Sequence, residues 1–167
     1  MWREYRNLDY TLQTRLHHST AGTVYLQAGT QSEGHGSVRI FQNNAAVNWT
    51  TVCTNDFTAF PSTRHGGEND DLRRVALEIG AGAHVLVTVD NARVASLSVA
   101  EHSTLNLNGK KLNVKSAKVN GVKLVPGTYA AGSTLEIGEG TLADYLVDSA
   151  TGGELIVGGV GLSIIVR

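Results

Sequence analysis

The groups best suited to acid–base chemistry crowd into one stretch: Arg64 and His65, then Glu68, Asp70 and Asp71, then Arg73 and Arg74. Carboxylates beside guanidinium groups suit polysaccharide cleavage, where one carboxyl protonates the leaving oxygen and another acts as base or nucleophile. The segment between Thr54 and Asp71 is polar, contains Pro61 and Gly66-Gly67, and is too long for a simple turn. Long loops in compact domains are commonly functional or unstructured. Adjacent charges in a loop are ordinarily solvated surface. Catalysis therefore requires Arg64, His65, Asp70, Asp71 and Arg74 to converge in a cleft, and a calcium or sugar contact stands between the two readings.

Other groups carry weaker signals. His17 and His18 are adjacent, so on a strand they point to opposite faces and do not share an ion; His35 sits in a Gly34-His35-Gly36 turn. No metal site is expected. His84 and His102 stand at the starts of strands and read as corner residues. Cys53, among Trp49, Thr50, Val52 and Phe57, reads as a small buried hydrophobe rather than a nucleophile. Gly158-Gly159-Val160-Gly161 lacks the Lys and Ser or Thr of a phosphate loop, so it reads as turn glycine and no cofactor is expected. Asn48-Trp49-Thr50 is a glycosylation sequon only in a eukaryotic secretory pathway. Trp49 and Tyr25 are the candidate ligand-binding residues, as flat platforms for a sugar. At 6% aromatic content, most aromatic side chains are expected in packing roles.

Composition narrows the classes. The chain has 167 residues, 14 Lys plus Arg against 15 Asp plus Glu, and a net charge of -1. Nucleic-acid binding needs clustered cations in excess, so neither a nucleic-acid partner nor a basic membrane-surface role is expected. No run of about 18 apolar residues is present, so membrane insertion is not expected, and a signal for export would lie upstream or have been removed. A lone Cys forms no internal disulfide.

The elements positioning these residues are strands. Leu77 and Ile79, Val85, Val87 and Val89, Leu97 and Val99, Leu105 and Leu107, Leu112 and Val114, and Leu135 and Ile137 recur at period two. No helical stripe runs beyond a turn between Val75 and Arg167. Leu77, Ile79, Val87, Leu97, Val99, Leu105, Leu107, Leu112, Val114, Leu135 and Ile137 are expected to point inward. Glycine- and asparagine-rich punctuation at short spacing fits either a solenoid of stacked coils or a β-sandwich. Asn108-Gly109 also reads as a type I′ hairpin turn, which keeps the antiparallel alternative open. Before Val75 the pattern is less regular. Met1 to His18 reads as an amphipathic helix or an edge strand; segments from Gly22, from Ser37 and from Val47 to Val52 are strand candidates.

Val94 to Val99, Ser103 to Val114, Val119-Asn-Gly-Val-Lys-Leu-Val-Pro-Gly-Thr-Tyr and Gly152-Gly-Glu-Leu-Ile-Val-Gly-Gly together resemble the final coils of exported right-handed β-helix proteins of bacteria, such as autotransporter-type passenger domains. The resemblance covers Val75 to Arg167, and its repeat-like motifs match no catalytic pattern residue by residue. It implies an all-β fold, a right-handed parallel β-helix, and a single solenoid domain over 1–167, less regular over 1–74 and repetitive over 75–167. Leu155 to Val166 would close the last coil. It further implies a segment of a larger secreted or cell-surface protein, structural or adhesive, with carbohydrate or another surface ligand as partner. The alternatives are a β-helical polysaccharide lyase or hydrolase and a sandwich-type carbohydrate-binding module.

Overall fold

Every second residue of Val75-Ala76-Leu77-Glu78-Ile79 is apolar and large, and those three side chains are buried while Ala76 and Glu78 are partly exposed. That alternation selects extended backbone, because only a period of two places all three on one face. In the computed structural model, which describes residues 22–32, 34–41, 57–61 and 71–158, the same rule builds an all-β fold.

The strands are β1 (Gly22–Leu26), β2 (Ser37–Phe41), β3 (Thr58–Phe60), β4 (Ala76–Ile79), β5 (His84–Val87), β6 (Ala92–Val99), β7 (Thr104–Asn106), β8 (Lys111–Val119) and β9 (Val122–Lys123). They continue as β10 (Gly127–Ala130), β11 (Glu136–Ile137), β12 (Gly140–Thr141), β13 (Leu146–Val147) and β14 (Glu154–Val157). Among the described residues the helical content is one 3-10 turn, Leu142–Asp144.

The larger sheet has eight strands, ordered β1-β2-β4-β6-β8-β14-β10, with β9 beside β8; the second is β13-β7-β5-β3, and β11 and β12 form a small hairpin. From β2 to β8 the chain alternates between the two large sheets, so each strand meets its neighbour only after a visit to the other sheet. Those pairings are parallel. From β4 to β8 the repeat is regular: Leu77 faces Leu97, Val85 faces Leu105, and Val94 faces Val114, each 20 positions on.

Like therefore stacks on like. One buried column runs Val38, Leu77, Leu97, Ala117; its neighbour runs Ile40, Ile79, Val99, Val119. In the second sheet Val85, Leu105 and Leu146 stack, with Phe60 against Val87. Two further columns run Leu112 on Leu155 and Val94, Val114, Val157. Val94 and Leu97 both face inward although three residues apart, and the pairing skips Ala95 and Lys115. β6 and β8 therefore turn a corner there together, with no extra residue in either strand. Burial of these columns is the main stabilising term, at about 25 cal/mol per Å² of apolar area.

Ten of the eleven residues expected inward are buried, and Leu135 is the correction: it is 44% exposed. It precedes β11 without belonging to it, and its carbonyl accepts the N–H of Leu142, so Ile137 alone enters the core. Part of the supposed loop from Thr54 to Asp71 is strand β3, held because Phe60 packs on Val87. The Asn108-Gly109 hairpin is also corrected. Both residues have positive φ, 52° and 69°, and Lys110 N–H closes the turn on Leu107 at 2.9 Å. The strands it joins, β7 and β8, nevertheless lie in different sheets. An antiparallel sandwich would pair strands adjacent in sequence, whereas here β4 to β8 pair parallel across a repeat. The candidate strand Val47 to Val52 and the segment Met1 to His18 lie outside the described residues. So does the proposed closing segment beyond Gly158.

Candidate functional site

Of the expected catalytic cluster, Arg64, His65, Glu68 and Asp70 lie outside the described residues; Asp71, Arg73 and Arg74 precede β4 and are exposed. Asp71 receives two side-chain bonds from Arg73, from Nε at 2.8 Å and Nη2 at 2.7 Å. This fork-to-fork pairing, reinforced by the Arg73 N–H, holds the Asp71 carboxyl well below the usual carboxylate range. Arg74 takes no part in that pair.

The surface beside Arg73 is concave. A cleft of about 300 Å³ lies between Pro61, Leu72, Arg73, Asp90, Asn91 and Arg93. A second, of about 280 Å³, is bounded by Arg73, Arg93, Asn113, Lys115 and Gly158. The two clefts share both arginines. Arg93 faces Asn113 in the β6–β8 register, and Arg73 precedes Arg93 by the same 20-residue step. Asp90 accepts the backbone N–H of Lys111 at 2.9 Å, and that bond, with a second from the Asn91 N–H, lowers its pKa. A general acid needs a raised pKa. Both carboxylates lining the first cleft, Asp71 and Asp90, are shifted the other way, so the arrangement suits contact with an anionic or hydroxylated ligand better than proton donation. Arg93, Asn113 and Lys115 were not singled out from the sequence; the 20-residue period that runs Arg73, Arg93, Asn113 is the signal that finds the first two, whereas Lys115 lies off that period and is brought to the cleft only by the fold.

Tyr25 lies on β1 and is 48% exposed, and its hydroxyl donates to Gln27 Oε1 at 2.7 Å while accepting the Gly36 N–H at 3.3 Å. The hydroxyl is thus committed internally, and only the ring face is available. Trp49, His17, His18 and Cys53 lie outside the described residues. His84 opens β5 as a corner residue, its Nδ1 2.6 Å from Thr104 Oγ1 and its ring edge-on to Phe57 at 5.9 Å. His102 takes φ 54° in the turn before β7. No group of three or more metal-ligating side chains occurs among the described residues.

A polar cluster that sequence reasoning passed over ties the end of β7 to the segment before β14. Asn106, buried at 4% exposure, accepts the N–H groups of Asn108 at 2.9 Å and Ser149 at 3.0 Å. Asp148 accepts those of Gly109 at 2.6 Å, Ala150 at 3.1 Å and Gly153 at 2.7 Å. Gly153 is required there: a Cβ would stand 2.6 Å from Leu107 Cβ and 2.8 Å from Asp148 Oδ2. With each Asp148 oxygen accepting backbone N–H groups, the cluster is architectural.

No family model matches the chain, and no curated protein or solved structure matches it.

Proposed function

We propose that the chain is a stretch of right-handed parallel β-helix with a structural or adhesive role in a secreted or cell-surface bacterial protein of the autotransporter-passenger kind. The observation carrying this reading is the parallel register at 20-residue spacing, by which Leu77 and Leu97, Ile79 and Val99, and Val94 and Val114 stack as coils would. Right-handedness follows the strong preference of parallel crossover connections. Such a coil buries its apolar face only against the next coil, so the repeat serves extension and display. The ground for a larger exported parent is the resemblance of Val94 to Gly159 to passenger coils.

The non-catalytic reading draws support from Asp71, whose carboxylate is spent on Arg73. Carbohydrate contact would use the clefts along Arg73, Arg93, Asn113 and Lys115. The test is incubation of the chain with neutral and acidic polysaccharides, followed by size analysis of the polymer and a glycan-array binding measurement. Unchanged polymer length, with binding reduced in Arg93→Ala, is the expected result. Shortened polymer overturns the reading in favour of a lyase or hydrolase, and binding indifferent to Arg93→Ala removes the clefts from it.

A further inference from the structure

The chain contains the dipeptide Asn-Gly twice, at Asn108-Gly109 and Asn120-Gly121, and the fold treats the two copies oppositely. All four residues have positive φ. At the first, Gly109 N–H is donated to the Asp148 carboxylate at 2.6 Å, and the Asn108 side chain donates to Val87 O at 3.4 Å and accepts from Ser149 Oγ at 3.1 Å. Space is closed too: a Cβ on Gly109 would meet Ala150 Cβ at 3.0 Å and Thr151 O at 3.2 Å. At the second, Gly121 is exposed and a Cβ there would meet nothing within 4 Å. Among the described residues the Asn120 side chain makes no hydrogen bond. The hairpin it caps is slight, since β9 has two residues, both exposed.

We propose that Asn120 is a site of spontaneous, fold-selected deamidation, and that Asn108 is protected by Asp148. In the reaction the Gly121 backbone nitrogen forms a bond to Asn120 Cγ. The side-chain nitrogen leaves as ammonia, taking up the proton that the backbone nitrogen gives away, and a succinimide ring remains. One water then opens the ring at either carbonyl, giving aspartate or isoaspartate. Water is the sole co-reactant. Ring closure requires the backbone amide to be unengaged and the turn to rotate. Gly121 meets both conditions when the short β8–β9 hairpin opens locally, whereas Gly109 is held by a charge-assisted bond. The product places a new carboxylate next to the cross-strand pair Lys118 and Lys123, and the isoaspartate form lengthens the backbone of the turn by one methylene.

The full chain is aged at mildly alkaline pH, and peptide mass spectrometry with isoaspartate detection is read at both sites. Asn120 should convert faster than Asn108 by about tenfold or more, the scale set by one hydrogen bond to a charged group. In denaturant the two rates should converge, because both asparagines precede glycine. Asp148→Ala should accelerate Asn108 alone, and Gly121→Ala should slow Asn120. Equal rates in the folded chain, faster loss at Asn108, or a difference that persists in denaturant each overturn the proposal. The comparison of folded with denatured chain decides the matter if Asp148→Ala does not fold.

Discussion

Asp148 Oδ1 accepts the backbone N–H of Gly109 at 2.6 Å although 39 residues separate them. That bond fastens the corner between β7 and β8 to the segment entering β14, and so helps fix the register in which Leu155 lies on Leu112. Three backbone N–H groups depend on the carboxylate. Replacing Asp148 by Ala leaves them without their acceptor, and the expected loss is about 2–4 kcal/mol. The urea midpoint measures it; a midpoint equal to the parent's would mean that water substitutes fully and the cluster is incidental.

Leu107 is fully buried, against the Cα of Gly153. Leu107→Asp puts a carboxylate into the buried apolar core, with an expected cost of several kcal/mol. Leu107→Ala, which only opens a cavity, should cost about 2–5 kcal/mol. If the Asp variant melts with the parent, Leu107 does not occupy the core.

Stability should also fall with acid through His84. Its pKa is lowered from 6.5 by burial, so the unfolded chain takes up a proton that the folded chain refuses. The contribution is complete above 6.5 and is lost as pH falls from there toward the lower folded value. The Asp71 and Asp90 carboxylates, also lowered, act in a separate window below 3.8. Unfolding measured at about pH 7 and about pH 5 should show the parent losing more stability than His84→Asn. Equal losses in the two proteins would remove His84 as the cause.

The strands were legible because Leu77, Ile79, Leu97 and Val99 obey a local rule of alternation. Partnership was not, as the two Asn-Gly turns demonstrate. Asn120-Gly121 closes a true hairpin, with Val119 facing Val122, while Asn108-Gly109, with similar φ values, swings the chain from one sheet to the other. The difference lies in Asp148 and Ser149, which sequence distance hides. Leu135 misled for a related reason, since period two extends past the end of strand β11. The 20-residue repeat was present as Val85 and Leu105, Val87 and Leu107, and Val94 and Val114, but few of its positions are identical. Apolar character recurs where identity does not. For the candidate site, the charge-rich stretch was legible, but Arg93 and Asn113 join Arg73 only through that repeat, and Lys115 only through the folded cleft.

If the repeat is the unit of stability, the chain should tolerate loss of a whole turn better than loss of half of one. Removing residues 95–114 joins Val94 to Lys115 in phase, bringing Leu77 against Ala117 and Ile79 against Val119, with β5 beneath β13 in place of β7. The variant forfeits the Asn106 and Asp148 bonds to β7 and its turn, so it should be less stable than the parent, yet remain folded with strand-type circular dichroism. Removing residues 95–104 shifts every later strand by half a turn, which brings members of one sheet opposite positions of the other and leaves the apolar columns unmatched. That variant should fail to fold or should aggregate, because unpaired strand edges and open apolar faces associate. Thermal melting with size-exclusion chromatography separates the two outcomes. Equal collapse of both variants would show that the coils do not contribute as nearest-neighbour units, and survival of the half-turn variant would show that register is not what holds the columns together.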